Sequence, residues 1–191
     1  MHPSVLIEAT LSKYNSGVTM VDAPIVIALG PGYEAGKDVH AVIETNRGHN
    51  LGRVYLRGCA ESNTGVPGAI GGYTIERLLR APCAGALYGV RQIGDLVQAG
   101  ETVAVVRTNE ISDNETAPVV AAISGILRGL MRDGLHVSSG MKVGDIDPRA
   151  AREHCFTISD KSRAVAGGVL EAILYLLNRR YSVHAQNRGL S

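Results

Sequence analysis

The feature that most constrains this chain is a repeat. Laid over itself at an offset of forty residues, the segment Ala81–Val106 matches Ala121–Ile146 without a gap. Ala81, Gly85, Leu87, Gly89, Gly94, Val97, Gly100 and Val103 fall on Ala121, Gly125, Leu127, Gly129, Gly134, Val137, Gly140 and Val143. Chance glycine matches are cheap in a chain with 23 glycines, but a register that also preserves the apolar alternation between them is not. Each copy reads as a small residue, a turn glycine, a short strand, a glycine turn and then V-x-x-G-x-x-V. Glycines supply the positive φ of tight turns, and alternating valines suit a half-buried strand. A unit this short cannot bury its own apolar face, so the two copies are expected to interlock about a local two-fold.

The phrases Ala81-Pro82-Cys83-Ala84-Gly85 and Gly94-Asp95-Leu96-Val97-Gln98-Ala99-Gly100 resemble those of biotinyl and lipoyl carrier domains. The resemblance implies a barrel-sandwich hybrid over residues 80–148. Carrier domains present a modified lysine on the hairpin joining their halves. Here that link, Arg107 to Thr116, holds no lysine, and Lys142 falls in the last strand of the second copy, aligned with Thr102. No biotin or lipoate is therefore expected.

The flanks complete a mostly β (α+β) chain: a β-rich segment with a glycine-rich loop (residues 1–79) and a C-terminal helix and tail (149–191). Val5–Glu8 and Ile25–Leu29 read as strands, Ala9–Asn15 as a short helical stretch, and Asp38–Thr45 as a strand pairing with Val54–Arg57. Gly30, Gly32 and Gly36 follow a strand as a dinucleotide fingerprint would. That fingerprint needs a helix next, and the β-branched run beginning at Asp38 favours a plain turn. Ser159 or a neighbour caps a helix running to about Arg180. Val165, Val169, Leu170, Ile173, Leu174 and Leu177 form its expected apolar face, and Gly167-Gly168 implies a close approach by another backbone, read as a second copy of the helix. A symmetric oligomer is expected on that ground.

Composition closes several function classes. The net charge is +1, with 19 Lys+Arg against 18 Asp+Glu and no basic run, so nucleic acid is not an expected partner. No apolar run reaches membrane-spanning length, and no secretion signal opens the chain, so cytoplasmic location is expected. The three cysteines are far apart. Cys83 stands where the second copy has Ile123 and reads as a small buried hydrophobe. Cys155 gains reactivity only if Lys161 and Arg163 turn toward it.

The chemistry-bearing residues gather between the flanks: His40, Glu44, Arg47, His49 and Arg53. His40 and Glu44 share strand parity and His49 lies on the following loop, so these three could form a metal shell and support a metal-dependent enzyme. Arg47, Arg53 and the loop from Asn63 and Thr64 to Gly72 could instead hold a small anion. A solvated hairpin face remains the plain alternative. No G-x-S-x-G, P-loop or H-E-x-x-H phrase is present.

Gly30-Pro31-Gly32-Tyr33, Asp38-Val39, Val42–Thr45, Arg47–Val54, Asn63–Gly68, Thr157–Lys161 and Gly167–Leu174 follow one another along the chain. In that order they resemble the YqeB-type accessory proteins of selenium-dependent molybdenum hydroxylases. The resemblance covers essentially the whole chain. It implies work beside a molybdenum hydroxylase or its maturation proteins, in maturing the selenium-containing molybdenum centre, with a molybdenum-cofactor-related ligand or a metal as possible cofactor. A purely structural docking module is the rival reading. The ligand-binding set drawn together on these grounds is Arg47, His49, Arg53, Asn63, Thr64, Asp160 and Lys161. Such proteins begin with a further stretch resembling half a Rossmann fold, and this chain starts after it. It is therefore expected to be either a short member or a piece of a longer protein.

Overall fold

A computed structural model describes residues 3–108 and 116–188. It is mostly β with a single long C-terminal helix. The described chain forms two compact units rather than three consecutive segments: Met1–Gly65 with Ile158–Ser191, and Val66–Thr157. The C-terminal helix belongs with the N-terminal strands, which makes the first unit an α/β layer rather than a β-rich segment alone.

In that first unit the strands are β1 (Val5–Glu8), β2 (Ile25–Leu29), β3 (Glu34–Ala35), β4 (Ala41–Ile43), β5 (Val54–Tyr55) and β6 (Gly58–Cys59), with helix α1 (Asp160–Arg188). One sheet has the order β1-β2-β4-β5; β3 and β6 form a small second ladder. β1, β2 and β4 are parallel, and β5 returns antiparallel, with Val42 opposite Tyr55. Both faces of the parallel strands are covered, as parallel sheets require. Ile25, Ile27, Ala41 and Ile43 face the helix, with Val165 and Ala172 across from them. Val26, Ala28 and Val42 face a second cluster with Tyr33, Val39 and Ala60. The turn at Gly30–Gly32 leads into β3, not into a helix, as the sequence indicates.

Two expectations for this unit are corrected. Ala9–Asn15 is irregular, not helical, with Leu11 and Lys13 at positive φ (58° and 70°). On α1 the residues meeting the sheet are Val165, Val169, Ala172, Ile173, Leu176 and Leu177, while Leu170 and Leu174 point outward at 57% and 58% exposure. The close approach implied by Gly167-Gly168 is made at Gly168 by the chain's own Gly52. A Cβ on Gly168 would stand 2.1 Å from the Gly52 carbonyl oxygen, and one on Gly52 would stand 2.5 Å from that of Ala164. The close approach is thus made within the chain, while Leu170 and Leu174 of the expected face stay exposed. Ser159 caps α1 as expected, its Oγ accepting from the Ser162 N–H at 3.1 Å.

The second unit contains β7 (Leu78–Arg80), β8 (Gly85–Gly89), β9 (Leu96–Val97), β10 (Thr102–Arg107), β11 (Thr116–Val120), β12 (Gly125–Leu130), β13 (His136–Val137) and β14 (Lys142–Asp147). They form two four-stranded sheets, β11-β10-β8-β13 and β7-β14-β12-β9. Each copy of the repeat gives its short middle strand to the other copy's sheet: β13 pairs with β8, and β9 with β12. The registers repeat at forty, since Ala86 faces His136 as Ile126 faces Leu96, and Thr102 faces Val120 as Lys142 faces Arg80. One core holds both copies. Leu79, Ala81, Leu87, Val97, Val103 and Val106 meet their counterparts Val119, Ala121, Leu127, Val137, Val143 and Ile146 there, and Cys83 packs beside them opposite Ile123. The β12–β14 pairing has a bulge between Leu127 and Gly129 that the corresponding β8–β10 pairing lacks.

Gly94 and Gly134 are equivalent turn residues at φ of 98° and 79°, each donating its N–H across to the other copy, to Leu127 and Leu87 respectively. Substituting either with valine should lower stability by about 1–3 kcal/mol in urea melts, and two parent-like variants would contradict the twin turns. The glycine pair in α1 gives a sharper contrast. Gly168→Ala should destabilise by about 1–3 kcal/mol through overpacking. Gly167→Ala, with nothing within 4 Å of its Cβ, should stabilise by about 0.5–1 kcal/mol.

Candidate functional site

Because β1, β2 and β4 run parallel, Glu8, Leu29 and Ile43 all end at one edge of the sheet. In open α/β sheets that carboxyl edge is where ligands bind. The segments leaving it are Ala9–Ser16, Gly30–Gly32 and Glu44–Gly52. Gly32 brings two of them together, since a Cβ there would meet Tyr14 N at 2.6 Å and Lys13 C at 2.7 Å.

Glu44 is fully buried. Its Oε1 accepts from the N–H groups of Thr45 (2.9 Å) and Asn46 (2.8 Å), and its Oε2 from that of Glu61 (2.8 Å). Three backbone donors on one carboxylate satisfy its charge and fix the loop. His40 makes a local bond of its own: its Nδ1 accepts from the Val26 N–H at 3.0 Å, and burial, with Arg180 adding, pushes its pKa below the ordinary value. His49 is exposed on the loop. The expected shell of His40, Glu44 and His49 is thus corrected. Among the described residues no group of three or more His, Cys, Asp or Glu side chains could hold a metal ion.

The expected ligand set divides. Arg47 and Asp160 come together in a two-pronged pair, Nη1 to Oδ2 at 2.7 Å and Nη2 to Oδ1 at 3.1 Å, tying the loop to the first turn of α1. Lys161 is beside them. Burial pushes its ammonium below the ordinary pKa, Lys13 and Arg47 push the same way, and Glu44 opposes. Arg53 is held elsewhere, donating to Asn50 Oδ1 at 3.2 Å with its guanidinium carbon 5.6 Å from the Tyr55 ring centre. Asn63 closes a local turn by accepting from the Gly65 N–H at 3.3 Å. Thr64, in that same turn, also stands in a held position.

Two residues at this edge escaped the sequence reading. Lys13 sits where a helix was expected and arrives through its left-handed backbone. Glu8, the last residue of β1, is 5% exposed. Its Oε1 accepts from the N–H (2.9 Å) and hydroxyl of Thr10, so the carboxylate reaches past the strand end toward the loop. Its Oε2 is buried with no hydrogen-bond partner. A buried acceptor left in that state costs on the order of 1–3 kcal/mol. No sequence signal marks it, because Glu8 reads as a strand-end polar residue.

The second unit carries a separate charged cluster. Asp147, 1% exposed, accepts from Arg149 (Nη2 at 2.6 Å, Nε at 2.9 Å) and Arg128 (3.1 Å), with His154 Nδ1 at 3.7 Å. The Arg149 hydrogen bond is the main reason its pKa falls from 3.8 to about 2. Cys155 donates to the Leu127 carbonyl at 3.8 Å, and burial raises its pKa, the reverse of what a reactive thiol needs. A depressed carboxylate stabilises the fold above its unfolded pKa and loses that contribution as pH falls through the folded one. Asp147→Asn should therefore cost at least about 2 kcal/mol at pH 7, with the gap to the parent closing between roughly pH 4 and 2. Urea midpoints across that range check it; a constant gap would contradict it.

No family model matches the chain. It is 48% identical over 179 residues to uncharacterized protein YqeB of Escherichia coli (strain K12), covering 94% of this chain and 32% of that protein. The two are homologous over that segment, and the chain spans about a third of the relative's length. Likenesses among solved structures are fainter. An aspartoacylase family protein from Mesorhizobium loti matches at 16% identity over 37% of this chain and 22% of its own, with a TM-score of 0.34. A succinylglutamate desuccinylase/aspartoacylase from Rhodobacter sphaeroides matches at 21% identity over 48% and 29%, with a TM-score of 0.35.

Proposed function

We propose that this chain, homologous to about a third of YqeB, works as an accessory module in the maturation of selenium-dependent molybdenum hydroxylases and binds a small anionic ligand in its α/β unit. The observation that carries the binding half is the basic cluster of Lys13, Arg47 and Lys161 at the carboxyl edge of the parallel sheet, beside the N-terminus of α1. Helix N-termini and cationic side chains favour the same sign of ligand. Of the expected set, Arg47, Asp160 and Lys161 remain in the site, and Lys13 joins it. The link to the hydroxylase system is supported by the phrases shared along the whole chain.

The second unit is assigned to the barrel-sandwich hybrid class in an unmodified form. The exchange of β9 and β13 between sheets supports this. Lys142 lies in β14, opposite Arg80, rather than on a hairpin tip. The hairpin link itself, residues 109–115, falls outside the described residues. The intact mass of chain made with excess biotin and lipoyl ligases should equal that of the bare polypeptide; a biotinyl or lipoyl adduct on Lys142 would overturn the assignment.

The functional half is tested in a bacterium that makes such a hydroxylase. Deleting the gene for this protein should leave hydroxylase subunits present but low in activity and selenium content. Restoring the gene should return both, and a Lys161→Ala version should not. Full activity and selenium in the deletion strain would sink the reading.

A further inference from the structure

The chain has four lysines, and their surroundings differ. Lys37 Nζ lies 3.1 Å from Glu34 Oε2, and Lys142 Nζ lies 3.8 Å from Asp145 Oδ1. Lys161 is half-buried in the first turn of α1, and among the described residues no carboxylate pairs with it. Its neighbour Asp160 is held by both prongs of Arg47. Glu44, the acid that acts on Lys161, already accepts three backbone N–H groups. What crowds Lys161 is therefore positive: Lys13, Arg47 and the N-terminus of its own helix. Burial and like charges both favour the neutral amine over the ammonium. A neutral amine is a nucleophile, and lysines desolvated or crowded by another cation are the ones that condense with carbonyl groups.

We propose that Lys161 Nζ forms an imine with a small anionic aldehyde whose charged group is held by Lys13 and the first turn of α1. The proposal rests on the anion-binding reading of this unit and adds the chemical class of the ligand and a covalent step. The lone pair of the amine forms a C–N bond at the carbonyl carbon. The nitrogen then gives up its two protons to the former carbonyl oxygen, which leaves as water, and a C=N bond remains. One amine and one aldehyde give one imine and one water, with nothing oxidised or reduced. Protonation of the imine by solvent returns a positive charge to a place already crowded by Lys13 and Arg47. An anionic group on the same molecule offsets that charge, and a neutral aldehyde brings none.

Reductive trapping of the full chain with cyanoborohydride, followed by peptide mapping, reads the adduct at each lysine. With acetaldehyde, a neutral probe, Lys161 should be alkylated at least about tenfold faster than Lys37 and Lys142, although both of those are more exposed. With glyoxylate, an aldehyde that carries a carboxylate, Lys161 should again lead. Lys13→Gln should slow the glyoxylate adduct at Lys161 more than the acetaldehyde adduct. Inorganic phosphate should protect Lys161 from both aldehydes, and sodium chloride at equal ionic strength should not. Labelling of Lys161 no faster than that of Lys37 and Lys142, with phosphate still bound in calorimetry, would overturn the imine and leave the anion site standing. An equal effect of Lys13→Gln on the two aldehydes would overturn the anionic class of the ligand. A parent that neither binds phosphate nor is protected by it would overturn the anion site and the proposal together. The ranking of lysines in the parent needs no variant, so it decides even where Lys13→Gln fails to fold.

Discussion

A carboxylate taken wholly out of water must be met by donors, and Glu44 meets that demand with the backbone. Its three N–H partners come from two separate segments, Thr45-Asn46 and Glu61, so one side chain holds the end of β4, the start of the loop and the approach of the chain after β6. Around it the Gly52 N–H donates to the Glu44 carbonyl and the Glu44 N–H to that of Arg53, which closes the loop onto itself. With the loop so fixed, Gly52 presents its carbonyl to Gly168 and Arg47 reaches Asp160. The seat of the helix and the placement of Lys161 both follow from that loop. Removing the carboxylate would leave three backbone amides without their acceptor, which is why a polar residue occupies so apolar a position.

This explains how the site was misread from the sequence. Strand parity put His40 and Glu44 on one side, and a second histidine nearby completed the composition of a metal shell. Parity gives direction and nothing about demand. The backbone amides that claim Glu44 carry no sequence signature, and neither does the Val26 N–H that claims His40 Nδ1. Residue types that ligate metals are also those that cap loose backbone, and only geometry tells the two uses apart.

The repeat was legible for the opposite reason. Its information is carried redundantly, in turn glycines and core residues at fixed spacing, so that a single error in either does not shift the register. Even the exchange of middle strands follows from an incomplete unit seeking its twin. What spacing could not show is the bulge near Arg128, where the copies diverge although the flanking residues still match. The helix was legible in its cap, but it runs to Arg188, past the end expected near Arg180, and its buried face was less legible. Val165, Val169, Ile173 and Leu177 hold the stripe, but its other flank is Gly168, Ala172 and Leu176 rather than Leu170 and Leu174. A search for large apolar residues passes over glycine and alanine, yet small residues are what a helix needs where it approaches a backbone most closely.

Glu8 and Lys13 mark the limit of such reading and its physical cause. The segment from Ala9 to Asn15 has the composition of a helix, and a helix there would carry the lysine along a regular axis. Instead Leu11 and Lys13 take left-handed backbone, and the segment packs Tyr14 and Lys13 against Gly32. Left-handed conformations in leucine and lysine are unfavourable by themselves and persist where surrounding structure holds them, often beside functional edges. The same edge retains a buried carboxylate oxygen without a donor and a lysine whose ammonium is disfavoured by burial and by its neighbours. Each is a local cost that the chain bears. Left-handed backbone at Lys13 and the crowding of Lys161 by Lys13 and Arg47 both fall on segments at one end of the sheet, and neither leaves a mark in composition or periodicity because each arises only where separate segments meet.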